Sequence, residues 1–322
     1  MVKRLSRLTP LAMIGLFYNL PAHAGLTPVS CGDPTASPAV PYAVTLDKIE
    51  NNVGADPFSA GAGLGAGPTS CYEAAWNDSD KKPKHNDDQG GLSSPDPNIG
   101  QVDDGWLNGE GDWIDPLELI DATDLVDVDG VNGANDPGWI HLANIQIQGD
   151  TTPVLSAGST GGEGKYSWVH GLTGVSMSVS DLLTIGFTCS GTGKDKCSMG
   201  TWSIDTKNDI LDSLDKLGLG NSSFDHLLFS FKAANDVFIY DFDFNILDDA
   251  LDPNVFDYET PYDFSGTWNS RDFNYKNLSH VNVWVRDPLL QTTTQVPAPA
   301  PLALLGLGLL AMGVARAARR IA

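Results

Sequence analysis

A group of candidate metal ligands lies between residues 121 and 136, one of several acidic segments in the sequence. Seven side chains with carboxylate or amide oxygens fall there: Asp121, Asp124, Asp127, Asp129, Asn132, Asn135 and Asp136. Ca²⁺ takes six to eight hard oxygen ligands, which such side chains supply. The segment is not an EF-hand, because Val131 takes the fifth loop position and Gly130 comes two positions early. The sequence therefore predicts a calcium site at Asp127, Asp129, Asn132 and Asp136, with a solvated acidic loop as the alternative.

No catalytic constellation is visible elsewhere. The sequence lacks a Gly-x-Ser-x-Gly nucleophile elbow, a His-Glu-x-x-His zinc motif and a Walker phosphate loop. The six histidines are scattered: His23, His85, His141, His170, His226 and His280. Glycoside hydrolysis requires two carboxylates at a defined separation, and 41 acidic residues contain too many pairs for the sequence to select one. We therefore assign no catalytic and no cofactor-binding residue, and predict that the protein is not an enzyme.

Four cysteines, Cys31, Cys71, Cys189 and Cys197, allow three disulfide connectivities. Cys189 and Cys197 flank a turn-like segment of glycine and polar residues, which favours a local bond between them and leaves Cys31 to pair with Cys71. The spacings do not fit a zinc site. Paired cysteines are typical of proteins that fold in an oxidising compartment.

The elements that must position these residues are mostly strands. Apolar residues alternate, wholly or in part, over 139–148, 174–187 and 281–286, as in half-buried strands. The apolar runs 227–231 and 237–242 are separated by turn residues 233–236, which predicts a hairpin.

One helix is predicted at residues 208–217, where Ile210, Leu211, Leu214 and Leu217 recur at helical spacing. Stretches rich in Gly, Pro, Asp and Asn at 54–69 and 77–112 predict loops. Many short strands between such turns predict a mainly β fold, an antiparallel β-sandwich or jelly roll, forming a single domain over residues 25–290.

The tripeptide Gly-Thr-Trp occurs twice, at residues 200–202 and 266–268. Each copy is compatible with a strand that begins after a turn. We predict that Trp202 and Trp268 pack in the core, and a sugar-stacking platform is the alternative.

The body of the chain is strongly acidic. Three of the 19 basic residues precede residue 25 and three follow residue 315, whereas all 41 acidic residues lie between them. The body therefore has 13 basic and 41 acidic residues, a net charge of −28. Such a surface repels nucleic acid, because the phosphates carry charge of the same sign.

Residues 1–24 have the three parts of a secretory signal peptide. Three basic residues lie within the first seven, residues 8–20 are mostly apolar, and Ala22 and Ala24 fit a cleavage site before Gly25. We expect the mature protein to begin at Gly25.

The C-terminal segment 291–322 has the composition of a membrane tether. Alternating Pro and Ala at 297–301 precede an apolar run at 302–315, and three arginines follow. The 19 uncharged residues from 297 to 315 are enough to cross a bilayer as a transmembrane helix. The terminal arginines favour a cytoplasmic C-terminus, which leaves the body outside. A plain tail anchor is one interpretation of this segment.

Pro297, Ala298 and Pro299, with the Leu- and Gly-rich run and the arginines, resemble the PEP-CTERM sorting signal of exopolysaccharide-producing Gram-negative bacteria. Ala298 stands where that motif has glutamate, so this is a Pro-Ala-Pro variant. The resemblance implies an exosortase as processing partner, a transient inner-membrane anchor, and delivery to the cell surface or extracellular matrix. The two Gly-Thr-Trp copies, with residues 232–235 and 279–284, are similar to bodies that often precede such tails, which implies a β-rich extracellular module.

Together these patterns predict an exported surface or matrix protein with a structural or adhesive role, and with exopolysaccharide as a candidate partner. A carbohydrate-binding module and a secreted glycoside hydrolase are the alternatives. Clustered exposed aromatic side chains would favour the first alternative, and a cleft with paired carboxylates of perturbed pKa would favour the second.

Overall fold

The computed structural model describes residues 26–35, 39–51, 64–74, 106–109, 114–120, 138–148, 152–155, 167–169, 176–190, 197–217, 224–233, 236–251 and 260–286. Thirteen strands and three α-helices lie within these ranges. In chain order they are β1 (Leu26–Pro28), β2 (Lys48–Asn51), β3 (Ser70–Ala74), β4 (Ile140–Gln148), β5 (Thr152–Leu155), β6 (Ser167–Val169), β7 (Ser176–Ser178), α1 (Val179–Leu182), β8 (Leu183–Phe187), β9 (Met199–Thr206), α2 (Ile210–Lys216), β10 (His226–Ala233), β11 (Asp236–Asp243), α3 (Phe244–Leu251), β12 (Tyr262–Asn269) and β13 (His280–Arg286).

Short 3-10 helices occupy Trp106–Asn108, Pro116–Glu118 and Arg271–Phe273. The strands form a seven-stranded sheet in the order β1-β3-β11-β10-β13-β4-β5, a four-stranded sheet in the order β2-β12-β9-β8, and the separate pair β6-β7. Every pairing among the described strands is antiparallel. The predicted mainly β, antiparallel fold is confirmed.

The two larger sheets face each other across one aromatic core. Trp202 of the four-stranded sheet lies 4.8 Å, between ring centroids, from Phe229 of the seven-stranded sheet. Trp268 lies 5.8 Å from Phe231 in the same way. All four side chains belong to one buried apolar cluster to which both sheets contribute. The arrangement is that of a sandwich, in which two sheets bury their apolar faces against each other.

A second buried cluster covers the opposite face of the seven-stranded sheet. Trp106, Leu107 and Trp139 pack there against Leu228 and Trp284. The sheet is thus buried on both faces, which explains why β10 and β13 are apolar along most of their length instead of alternating. In β9, by contrast, buried and more exposed residues alternate strictly, because one face of the four-stranded sheet is open to solvent.

The two Gly-Thr-Trp copies lie side by side on β9 and β12. Their antiparallel register places each tryptophan opposite the other copy's glycine, so that Trp202 faces Gly266 and Trp268 faces Gly200. The indole Nε1 of Trp202 donates to the carbonyl of Thr45 at 3.0 Å, and that of Trp268 donates to the carbonyl of Thr188 at 3.0 Å. Both indoles are buried, so the core-packing prediction for these tryptophans is confirmed.

The predicted hairpin, helix and last strand are all present. β10 and β11 pair across the two residues 234–235, α2 occupies Ile210–Lys216, and β13 covers the predicted strand 281–286. The predicted strand at 139–148 corresponds to β4. In each case the periodic pattern was long and bounded by turn residues, which is where such patterns are most informative.

The predicted strand over 174–187 is wrong as a single element. The single turn of α1 separates β7 from β8. Ser178 starts that turn, because its backbone N–H and its hydroxyl both donate to Asp181 Oδ2, at 2.9 and 2.7 Å. These hydrogen bonds also hold the pKa of Asp181 below its usual value. A Ser-x-x-Asp cap of this kind favours a helical turn over a continued strand.

Candidate functional site

Most residues that the sequence singled out for a site lie outside the described part of the chain. These are the calcium candidates Asp127, Asp129, Asn132 and Asp136, the cleavage residues Ala24 and Gly25, and the sorting motif Pro297, Ala298 and Pro299. The signal segment and the tail also lie outside it, and within it no helix has both the length and the apolar character needed to cross a bilayer.

Both predicted disulfides are present. Cys31 bonds to Cys71, with 5.2 Å between Cα atoms, and Cys189 bonds to Cys197, with 4.7 Å between Cα atoms. No cysteine is free. The disulfides indicate that the protein folds in an oxidising environment.

Five ionisable side chains of the described residues come together in a compact group that we call the His226 cluster: Asp225, His226, Asp241, Asp243 and Arg286. The strand register creates it. His226 begins β10, and its direct partners are Asp243 on β11 and Arg286 on β13. Asp241 lies two residues before Asp243 and therefore on the same face of the sheet, because side chains alternate along a strand.

His226 contacts two carboxylates of β11, those of Asp241 and Asp243. His226 Nδ1 lies 3.3 Å from Asp241 Oδ1, and Nε2 lies 4.0 Å from Asp243 Oδ2. The side chains of His226 and Asp241 are only 12% and 11% exposed. Trp139 packs edge-on against the imidazole, with 5.7 Å between ring centroids. The ring is thus held between an apolar wall and two acceptors.

Asp225 and Arg286 close the cluster on the other side. The backbone N–H of Asp225 donates to the carbonyl of Arg286 at 3.1 Å, and its own carbonyl accepts from the N–H of Phe244 at 2.8 Å. Its Oδ2 accepts from Asn245 Nδ2 at 3.1 Å. Its Oδ1 is buried and has no hydrogen-bond partner within the described ranges. Arg286 is only 5% exposed.

Two groups of the cluster have altered proton affinity. Burial raises the pKa of Asp225 to about 6, against the opposing effect of His226 and Arg286. Burial by itself lowers the pKa of His226, but the hydrogen bond and charge of Asp241 and the charge of Asp225 outweigh it. The pKa of His226 is therefore raised above its ordinary value. Asp225 therefore keeps its proton to a higher pH than an ordinary aspartate, and His226 keeps its proton to a higher pH than an ordinary histidine.

The cluster has no metal-binding geometry, since no group of three or more His, Cys, Asp or Glu side chains in the described ranges is arranged to hold an ion. What the arrangement can do is take up protons. With His226 charged and Asp225 neutral, two positive charges face Asp241 and Asp243. With both deprotonated, three carboxylates share one guanidinium in a poorly solvated space, which is unfavourable.

A second buried polar group lies on the same face of the seven-stranded sheet, where β4 pairs with β13. Asn282 Oδ1 accepts from Asn144 Nδ2 at 2.7 Å and lies 3.2 Å from His141 Nε2. The His141 ring also lies 4.2 Å from that of Trp284. Burial lowers the pKa of His141 to about 3, so this histidine stays neutral and acts as a packing and hydrogen-bonding residue.

The open face of the four-stranded sheet carries small hydroxyl side chains instead of aromatic ones. Thr45, Thr267, Thr201 and Thr188 form one row across the sheet, with Oγ1–Oγ1 distances of 2.6 Å for the first pair and 2.7 Å for the last. The five tryptophans whose side chains the structure describes are all buried: Trp106, Trp139, Trp202, Trp268 and Trp284. They therefore provide no sugar-stacking surface.

The His226 cluster was not predicted from the sequence, although the predicted hairpin contains its signal. A two-residue connection at 234–235 pairs His226 with Asp243 and places Asp241 on the same face. The presence of Arg286 in the cluster could not be predicted from the sequence, because it requires β13 to pair with β10 and not with another strand.

No protein-family model matches the chain, and neither a curated protein nor a solved structure matches it.

Proposed function

We propose that this is an exported structural or adhesive protein of the cell surface or extracellular matrix, processed at its C-terminal sorting signal. The observation that carries the proposal is the complete pairing of the cysteines in two disulfides within the β-rich body. Cytosolic proteins rarely keep such bonds, whereas exported ones use them to stabilise folds exposed to harsh conditions.

The character of the folded body supports a structural role over a sugar-binding module. The five tryptophans whose side chains the structure describes are buried in the core, and the open face of the four-stranded sheet carries threonine and serine. The net charge of −28 keeps the body hydrated and soluble among anionic or neutral polymers. A matrix protein is expected to have these properties: an acidic, hydrated sandwich that is tethered at the membrane and then released.

The resemblance of segment 291–322 to a sorting signal supports the proposed route of export followed by C-terminal processing. The alternating prolines at 297–301 disfavour helix, so the motif would remain extended outside the bilayer, where a membrane enzyme can reach it. Cleavage near Pro297-Ala298-Pro299 would release the body, and a chain that escaped cleavage would stay in the inner membrane.

Mass spectrometry of the C-terminal peptide from surface and inner-membrane fractions of the native host tests the proposal. We expect the surface form to lack the terminal arginines, and Ala298→Glu to increase the cleaved fraction by restoring the acidic position of the motif. Thr294→Glu is the matched control, because it adds the same charge outside the motif. A surface form that still ends in Arg319-Arg320-Ile321-Ala322 would show that the tail is a permanent anchor and that the proposed processing does not occur.

Retention on the producer's own exopolysaccharide tests the matrix role. We expect the purified protein to bind that polymer. Comparing the bound fraction with and without Ca²⁺ shows whether a cation bridges the two. Release of reducing sugar during the assay would instead support the hydrolase alternative.

A further inference from the structure

The His226 cluster sits where three strands of the seven-stranded sheet end together. β10 begins at His226, β11 ends at Asp243, and β13 ends at Arg286. The chain enters α3 directly after Asp243, and the carbonyl of Asp225 accepts the N–H of Phe244, the first residue of that helix. The cluster therefore connects the end of the sheet to the start of α3.

We propose that the His226 cluster is a proton-dependent latch, which fastens this end of the sheet and α3 in mildly acidic surroundings and loosens them in alkaline ones. The proposal does not depend on the proposed function of the protein.

Charge balance inside the cluster explains the direction. The charged groups facing His226 are Asp241 and Asp243 from β11, Arg286 from β13, and Asp225 from the segment before β10. Ser70 of β3 adds a neutral donor, with Oγ 3.2 Å from Asp241 Oδ2. In the acidic form, the imidazolium makes a charge-assisted hydrogen bond to Asp241 and the acidic and basic charges balance. In the alkaline form, the donor of that bond is a neutral imidazole, so the attraction to Asp241 is weaker and the carboxylates repel each other.

The two altered pKa values act in the same direction. Because the pKa of His226 is higher in the folded chain than its ordinary value, its contribution to stability is complete below the ordinary value and is lost as pH rises through the folded value. Because burial raises the pKa of Asp225 from 3.8 to about 6, ionisation of this carboxyl increasingly disfavours the folded state as pH rises between these two values, and the penalty is complete a little above 6. Both effects favour a closed latch at mildly acidic pH.

Two measurements on the full chain, kept in detergent micelles because of its apolar C-terminal run, test the latch. The first is an NMR titration of the histidine ring protons, in which we expect His226 to titrate above 6.5. The second is hydrogen exchange at the amide of Phe244, corrected for the intrinsic pH dependence. We expect protection at pH 5.5 to exceed that at pH 8.5 by roughly tenfold, which is the effect of one hydrogen bond to a charged group.

Asp241→Asn and His226→Gln separate the latch from a passive packing role. Asp241→Asn should lower the pKa of His226 and reduce the difference in Phe244 protection between the two pH values, leaving the part that comes from Asp225. His226→Gln should reduce that difference too. His280→Gln, at the opposite end of β13, is the matched control and should leave it unchanged. If His226 of the unmodified chain titrates at or below 6.5, or if Phe244 protection does not follow its titration, the proposal is wrong.

Discussion

At the scale of single residues, two glycines allow the two sheet-lining tryptophans to form their hydrogen bonds. A Cβ at Gly200 would overlap the carbonyl oxygen of Thr188 and lie 2.8 Å from Trp268 Nε1. A Cβ at Gly266 would overlap the carbonyl of Thr45 and lie 2.8 Å from Trp202 Nε1. Each glycine therefore leaves room for the other copy's indole N–H to reach a backbone carbonyl. The repeated tripeptide is a reciprocal contact and not two independent strand starts.

Gly200→Ala and Gly266→Ala should each destabilise the protein by about 2 kcal/mol or more, because the added methyl group strains the strand spacing and separates a buried indole donor from its acceptor. Gly186→Ala is the matched control in the same sheet. Its Cβ would meet only the Ser203 hydroxyl, which can rotate away, so we expect a cost below about 1 kcal/mol. Urea unfolding followed by tryptophan fluorescence measures all three. An equal loss of stability for Gly186→Ala would mean that the indole contacts are not the cause.

At the scale of elements, the sequence is most informative where an apolar pattern and the turn residues that bound it are close together in the chain. The hairpin β10-β11 and the helix α2 were predictable, because their apolar periods and turn residues lie within one short segment. The helix α3 was missed, since its apolar residues continue the run of β11 without a break. The signal for its start is Asp243, whose Oδ1 accepts from the N–H of Asn245 at 2.9 Å.

The short strands at the N-terminal side could not be predicted from local pattern. β1 pairs with β3, and β3 pairs with β11, which lies about 170 residues further along the chain. Strands of three to five residues acquire their identity from such partners and not from their own composition. The candidate calcium ligands remain a prediction, because their segment lies outside the described residues.

The two disulfides should differ in their contribution to stability. Cys31 and Cys71 are 40 residues apart in the sequence, and Cys189 and Cys197 are 8 apart. On the chain-entropy model these loops correspond to about 4 and about 2.5 kcal/mol. We therefore expect a Cys31→Ser/Cys71→Ser double variant to lose more free energy of unfolding than Cys189→Ser/Cys197→Ser, as measured by urea denaturation. The reverse order would show that local strain or native contacts outweigh loop closure.

At the scale of the whole molecule, charge opposes compactness. The body has 13 basic and 41 acidic residues, so most of its carboxylates have no basic partner. The aromatic core between the sheets supplies the opposing stabilisation. Self-repulsion of this kind is long-ranged in dilute buffer and is screened beyond about 8 Å at physiological salt.

Salt should therefore stabilise the protein, and calcium should separate screening from binding. We expect the melting temperature to rise by a few degrees as NaCl increases from low to physiological concentration, because screening weakens repulsion among the carboxylates. If Asp127 and Asp129 help to bind Ca²⁺, CaCl₂ at the same ionic strength should stabilise the protein further. At a hundredfold excess of Ca²⁺ over its Kd, the free energy of unfolding should increase by about 3 kcal/mol. Asp127→Asn/Asp129→Asn should remove only this additional part.

The control for that experiment is Asp205→Asn/Asp236→Asn, which removes the same two charges at exposed positions on β9 and at the start of β11. Both double variants should respond equally to NaCl, because the net charge is the same in each. Only the first should lose the extra response to CaCl₂. If CaCl₂ and NaCl of equal ionic strength raise the melting temperature of the unmodified protein equally, residues 121–136 form a solvated acidic loop, because a specific site would stabilise the folded chain beyond screening.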